Sequence, residues 1–372
     1  MEFPRAAAAH APGDFLGDLA TRLEARARPG PAPEAPALLW YAPSALDAEA
    51  RRVLAGLPGA ERVSAGGLAC RSVAPRELAE RAGPHPALRC LAAALGAALA
   101  PPPRALVMGI LNVTPDSFSD GGEFLATERA LERGRALRDE GADWLDVGGE
   151  STRPGAEPVA PEVELERVVP VLRTLAREGR AVLSVDTTKA EVARAALEAG
   201  ARIVNDVSAG RNDPALLPLV AAHGAGLVLM HAQGTPRDMQ RDPRYADVVR
   251  EVAAHLRARA RAAWEAGVAP ERIVLDPGFG FGKRPADNLA LLRALPELRA
   301  LGFPLCVGLS RKSFLGHLSG QQEPARRGPE TLAATALAAA AGAAVHRVHE
   351  VATTRAALAI AGALAADTGT AR

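Results

Sequence analysis

Between Leu106 and His349 one hydrophobicity pattern repeats: a short, nearly continuous apolar run stops on a polar side chain, and a stretch with apolar residues at helical spacing follows. The runs fall near 106–111, 143–148, 181–185, 202–206, 226–231, 273–276, 304–309 and 344–348, and the polar stops are Asn112, Asp146, Asp186, Asn205, Asp276, Lys312, Arg347 and His349. Strands buried on both faces of a parallel sheet read as such runs. The helical stretches 127–140, 162–177, 190–199 and 244–266 each end on a glycine placed to cap them: Gly141, Gly179, Gly200 and Gly267. Eight alternations predict an α/β chain closed into a (β/α)8 TIM barrel, its polar stops gathered on the rim at the carboxyl ends of the strands, where such barrels carry their sites. A doubly wound open sheet is the competing arrangement.

The first hundred residues read differently. Residues 1–36 mix Ala, Pro, Arg and Gly as a loosely packed arm would. Residues 37–103 predict a small α/β extension, with a strand at 38–42, helices at 46–57 and 86–100, and a stiff joint at Pro101, Pro102 and Pro103. The barrel domain is expected to occupy 104–372. None of the residues before it forms a constellation suited to chemistry.

Composition narrows the partners. A net charge of +1 gives no general attraction to nucleic acid or anionic membrane, so any anion site is local. The longest apolar stretch, 332–345, is too short to span a bilayer, and the amino terminus lacks a secretory block. Three scattered cysteines, Cys70, Cys90 and Cys306, form neither a disulfide framework nor a zinc site and fit a reducing cytoplasm. Of 44 basic residues only Lys189, Lys283 and Lys312 are lysine. A chain that uses arginine wherever charge suffices keeps lysine where a compact point charge is needed, and Lys312 reads that way. Lys189 lies at a helix start, where a solvated position explains it equally well.

Asp186 and Asp276 each close an apolar run, and either alone would serve as a helix cap. With Asn205 they make a pocket that accepts hydrogen bonds from the N–C(NH₂)–N edge of a pterin or guanine, while Lys312 faces the ring's acceptors and Arg347 stacks on it. The run Gly278 to Lys283 lacks the spacing of a triphosphate or dinucleotide loop and instead predicts a tight turn near a flat ligand. Arg153 on the 148–155 loop, with Arg347, His349 and Asn112, suits a diphosphate and its Mg²⁺.

The segments GILNVTPDSFSDGG (109–122), DVGGESTRPGA (146–156), SVDTTKAEVA (184–193), IVNDVSAG (203–210), MHAQGTP (230–236), LDPGFGFGK (275–283), GLSRKSFLG (308–316) and RVHEV (347–351) closely resemble the dihydropteroate synthase family and span the barrel in order. The resemblance implies condensation of 6-hydroxymethyl-7,8-dihydropterin diphosphate with 4-aminobenzoate, giving 7,8-dihydropteroate and diphosphate. It assigns Asp186, Asn205, Met230, Asp276, Phe281, Gly308, Lys312 and Arg347 to the pterin, and Asn112, Arg153, Arg347 and His349 to the diphosphate. Asn112 would also be the Mg²⁺ ligand. Phe118, Thr152, Pro154, Lys312 and Ser313 would line the aminobenzoate slot. Asn112, Arg153, Asp186, Lys312, Arg347 and His349 are the expected catalytic set. A homodimer and competition by sulfonamides are further implications. Departures are small: Ala232 and Glu350 stand where relatives carry Met and Asp.

The reaction expected is dissociative, since the motifs supply anion grips but no nucleophile with a base. Gly- and Pro-bearing loops at 113–124 and 149–161 read as lids. A pterin-binding methyltransferase would leave Arg153 and His349 unexplained, and a non-catalytic pterin-binding protein has no need of the full set.

Overall fold

The computed structural model describes residues 37–41, 48–57, 62–63, 69–73, 75–83, 104–114, 122–153, 155–299 and 301–365. The expected arm at 1–36, the helix at 86–100, the proline joint, and both Phe118 and Pro154 lie outside the described residues. In the leading segment, β1 (Ala37–Tyr41) pairs antiparallel with β3 (Ala69–Val73), which also pairs with β2 (Arg62–Val63). Helices α1 (Ala48–Ala55) and α2 (Pro75–Ala82) accompany this sheet. The strand and first helix were legible; β2, β3 and α2 were not, because neither short strand carries an alternating pattern.

The barrel strands are β4 (Leu106–Asn112), β5 (Trp144–Gly148), β6 (Val182–Asp186), β7 (Ile203–Asp206), β8 (Gly226–Met230), β9 (Ile273–Asp276), β10 (Cys306–Val307) and β11 (Val345–Val348). All pair in parallel, in the order β10, β11, β4, β5, β6, β7, β8, β9. A parallel bridge from Leu275 to Leu305, with Leu275 N–H donating to Pro304 O at 2.9 Å, joins β9 to the chain entering β10. The expected strand at 304–309 thus contracts to two residues. Pro304 has no N–H for the ladder, and the chain beyond Val307 turns into the site.

Between the strands lie α3 (Gly122–Asp139), α4 (Pro161–Glu178), α5 (Ala190–Glu198), α6 (Leu216–Ala222), α7 (Val248–Glu265), α8 (Pro285–Arg293), α9 (Leu295–Arg299), α10 (Ser313–Ser319), α11 (Gly328–Ala340) and α12 (Val351–Ala365). Gly141, Gly179, Gly200 and Gly267 follow their helices with positive φ, as expected. The helix expected from 244 begins instead at Val248. Gln233 exchanges two hydrogen bonds with the Arg244 backbone, which holds that residue in the loop, and Asp247 caps the helix by accepting from Arg250 N–H at 3.1 Å.

Strand alternation produces two populations of side chain. Val107, Leu111, Leu145, Val147, Leu183, Val185, Leu227 and Leu229 pack outward against the helices as part of one continuous core. Leu106, Met108, Trp144, Ile203, Val228, Val274, Cys306 and Val345 fill the barrel interior. Each fully buried Leu, Ile or Val contributes roughly 1.5–3 kcal/mol. Two residues further along β5, β6, β7, β9 and β11 the interior turns polar, with Asp146, Ser184, Asn205, Asp276 and Arg347, and that layer forms the floor of the site. No helix among the described residues is long and apolar enough to cross a membrane.

Candidate active site

At the carboxyl ends of the strands lies a cavity of about 600 Å³, open to solvent. That size suits a small organic ligand. Its walls include every described residue assigned above: Asn112, Thr152, Arg153, Asp186, Asn205, Met230, Asp276, Phe281, Gly308, Lys312, Ser313, Arg347 and His349. One mouth gathers them, although they are spread over more than two hundred positions of the sequence.

The floor is organised by Asp146, fully buried at the centre of β5. One of its carboxylate oxygens accepts from Ser184 Oγ at 2.6 Å; the other accepts from Asn205 Nδ2 at 2.9 Å and Arg347 Nε at 2.6 Å. Arg347 also donates through Nη2 to Asp186 Oδ2 at 2.7 Å. Four strands are therefore tied by one polar network. In the sequence Asp146 was visible as a strand end, but its role as the hub was not, because that role depends on side-chain contacts between residues as far as 201 positions apart.

Charges in this network are strongly perturbed. Burial lifts Asp186 to about 7, against the pull of Arg347 and with Asp146 repelling it. Burial also opposes the charge on Arg347, but Asp146 and Asp186 outweigh it and hold the guanidinium more firmly protonated than usual. Asp276 is raised by burial, although Gly278 N–H donates to its Oδ1 at 2.7 Å. Burial lowers Lys312 to about 8, with Asp276 opposing the shift and Arg347 reinforcing it. Its ammonium lies 4.2 Å over the Phe281 ring. Buried acids facing such a lysine make a surface that takes N–H donors at one end and acceptors at the other.

A second set of lining residues favours anions. Arg153, Ser151 and Thr152 come from the loop after β5, and His349 follows β11. Ser310 Oγ and His349 Nδ1 lie 2.9 Å apart, and Arg133 Nη2 donates to His349 O at 2.7 Å, so the imidazole is fixed in place. Burial lowers His349 to about 3, helped by Arg311, Arg347, Arg153 and Lys312. It therefore enters as a neutral imidazole beside cations, not as a further positive charge.

Lys189 is not a solvated helix end. Its ammonium reaches Glu150 and the fully buried Glu164, both at 2.5 Å, while Glu150 Oε1 accepts from Val159 N–H at 3.2 Å. The salt bridges thus anchor the base of the loop bearing Arg153. Met239, Gln240, Arg311, Pro324 and Arg327 also line the cavity and were not foreseen, since they come from irregular loops without periodicity. Gln240 Nε2 donates to Gly280 O at 2.6 Å.

The tight turn after β9 is a steric necessity. Gly278 has φ +68°, and a Cβ there would sit 1.9 Å from His231 O. We expect Gly278→Ala to lower stability by at least ~2 kcal/mol and to weaken ligand binding, because the backbone of two loops must separate. Chemical denaturation alongside ligand titration checks this.

A parallel barrel whose rim joins an acid and amide pocket to an arginine-bearing anion wall defines a pterin-binding barrel protein, and residues 108–349 match the family described as "Pterin binding enzyme". A dihydropteroate synthase from Mycobacterium leprae is 52% identical over 263 residues, covering 69% of this chain and 92% of that protein. A Xanthomonas albilineans dihydropteroate synthase solved with 4-aminobenzoic acid superimposes with a TM-score of 0.67 at 50% identity, covering 71% of this chain and 94% of that one. The same organism's enzyme in complex with 7,8-dihydropteroate gives a TM-score of 0.64 at 47% identity over the same shares. The chain belongs to the dihydropteroate synthase family.

Proposed function

We propose that this chain condenses 6-hydroxymethyl-7,8-dihydropterin diphosphate with 4-aminobenzoate to form 7,8-dihydropteroate and diphosphate. The observation that carries this reading is the shared cavity, whose single mouth brings together Asp186, Asn205 and Asp276 with Arg153 and His349. Solved relatives hold 4-aminobenzoic acid and 7,8-dihydropteroate, the second reactant and the product of this condensation. Purified protein incubated with both substrates and Mg²⁺ should release diphosphate and dihydropteroate in equal amounts; diphosphate release without dihydropteroate would contradict the proposal.

In the mechanism we favour, Asp186, Asn205 and Asp276 accept the N–H groups of the pterin, and Lys312 donates to its acceptors. Holding the ring leaves the methylene carbon at the boundary between the two walls. The C–O bond to diphosphate breaks first, and Arg153, with His349 as a neutral donor, takes up the charge appearing on the leaving group. The ring delocalises the positive charge left on the methylene carbon. The aniline nitrogen of 4-aminobenzoate, held by Thr152, Lys312 and Ser313, attacks that carbon and then loses its proton to water. An arylamine is neutral near pH 7, so no strong base is required.

The donor set fits a Mg²⁺ that arrives with the diphosphate. Among the described residues no cluster of three or more His, Cys, Asp or Glu could hold a metal, whereas Asn112 on the cavity wall offers one amide oxygen. Mg²⁺ commonly takes one or two protein ligands and completes its shell with phosphate oxygens and water. Bound there, it would neutralise charge on the diphosphate.

The perturbed groups set a pH window. Pterin recognition needs ionised Asp186, which is lost as pH falls below about 7, and protonated Lys312, which is lost as pH rises above about 8. We expect kcat/KM for the pterin substrate to be bell-shaped with limbs near those values, and Asp186→Asn to flatten the acid limb. A flat wild-type profile would contradict the assignment.

We further propose a homodimer formed through α11 and α12. Leu337, Ile360 and Leu364 are 65%, 65% and 82% exposed on these helices, an apolar exposure that association would cover. The free, buried thiol of Cys306 accords with the reducing cytoplasm in which we place the enzyme.

A further inference from the structure

Lys283 has no part in the mechanism above and does not line the cavity, yet it is only 3% exposed. Its ammonium is surrounded by the carbonyl oxygens of Gly278 at 2.9 Å, Phe281 at 3.1 Å and His231 at 3.2 Å, and by His231 Nδ1 at 2.9 Å. Three N–H groups thus meet four acceptors around one nitrogen. The acceptors come from both the β8 and the β9 loops. The two loops also touch backbone to backbone: a Cβ on Gly282 would lie 2.3 Å from Gln233 O, and Tyr245 Oη donates to Gly282 O at 2.7 Å.

We propose that Lys283 is a positioning residue for pterin binding, whose ammonium locks the β8 and β9 loops into one platform and so fixes Gly280 and Phe281 at the cavity wall. The proposal rests on the pterin reading of this site. The carbonyls of Gly278 and Phe281 are held by the Lys283 nitrogen outside the cavity, whose pKa burial lowers to about 7 against the pull of Asp276, and this keeps two acceptors from turning into the cavity. With its carbonyl held, Phe281 presents its ring to the Lys312 ammonium. Asn288 completes the brace, accepting from Gly280 N–H at 2.8 Å and donating to Arg284 O at 2.9 Å. An arginine cannot substitute. Four acceptors converge on a single nitrogen, whereas a guanidinium spreads its donors over a planar fork. This explains why an arginine-rich chain keeps a lysine here.

The anion wall is built from other loops, so its ligand should be insensitive to this lock. Calorimetric titrations of the full chain with 6-hydroxymethylpterin, and separately with inorganic diphosphate plus Mg²⁺, test the proposal in Lys283→Met, Lys283→Arg and Tyr245→Phe. Loss of charge-assisted hydrogen bonds predicts at least ~10-fold weaker pterin binding in Lys283→Met, no restoration in Lys283→Arg, and diphosphate affinity within about twofold of wild type in both. Tyr245→Phe, which removes one neutral bond to the same turn, should weaken the pterin roughly threefold and spare diphosphate. It carries the test should the Lys283 variants fail to fold. Unchanged pterin affinity in a folded Lys283→Met, equal weakening of both ligands, or full rescue by arginine would overturn the proposal. Absence of pterin binding in the unmodified chain would refute the underlying reading and this proposal together.

Discussion

Replacing Arg347 with alanine is expected to abolish measurable turnover and to lower stability by about 3–5 kcal/mol, the usual cost of stranding a buried charge. Arg347 joins Asp146 and Asp186 through bonds of 2.6 and 2.7 Å, and both acids are nearly or completely buried. Without the guanidinium, two buried carboxylates are left without their shared partner. One must take up a proton, and its strand end must shift. For a barrel of this size the loss corresponds to a melting temperature lower by roughly 10 °C. A methionine in its place fares no better, since the cost lies in the acids left behind. Thermal melts at pH 8 and pH 6 check the cause: low pH should partly rescue the variant, because protonation removes the uncompensated charge. Equal stability of Arg347→Ala and wild type would show that the network contributes nothing.

Lys312→Ala should behave in the opposite way, losing about 10²–10³-fold in kcat/KM while keeping or gaining stability. Burial lowers the Lys312 pKa to about 8, so folding disfavours its charged form and removing the ammonium relieves that penalty. The same ammonium is the donor expected at the ring acceptors and beside the aminobenzoate slot, so its loss affects both substrates. A residue that costs stability and serves catalysis is the pattern expected of a site built for function rather than for folding. Steady-state kinetics with a parallel denaturation curve separates the two effects. A stability loss proportionate to the loss of activity would assign Lys312 to the fold.

The barrel was legible in the sequence because a strand buried on both faces must be apolar throughout, which makes each polar terminus conspicuous. Asp186, Asn205, Asp276 and Arg347 stood out in that way, and all reach one cavity. What stayed hidden depends on contacts between distant segments. Asp146 appears alongside the other strand ends, and only the pairing of β5 with β6 on one side and, through β4, its nearness to β11 on the other make it the hub. Lys189 read equally well as a solvated helix start or a required charge, and only its contacts with Glu150 and Glu164 decide between them. Gln240 and Arg311 reach the cavity from loops whose course no periodicity announces. The late start of α7 has the same origin, since Gln233 holds Arg244 out of the helix across an eleven-residue span.

The most direct test is a structure of this protein with 7,8-dihydropteroate bound. The pterin ring should lie between Asp276, Asn205 and Lys312, and the benzoate should extend toward Ser313 and Thr152, leaving the space between Arg153 and His349 for diphosphate. A pterin ring seated away from Asp276 and Lys312, or a product bound outside this cavity, would contradict the account.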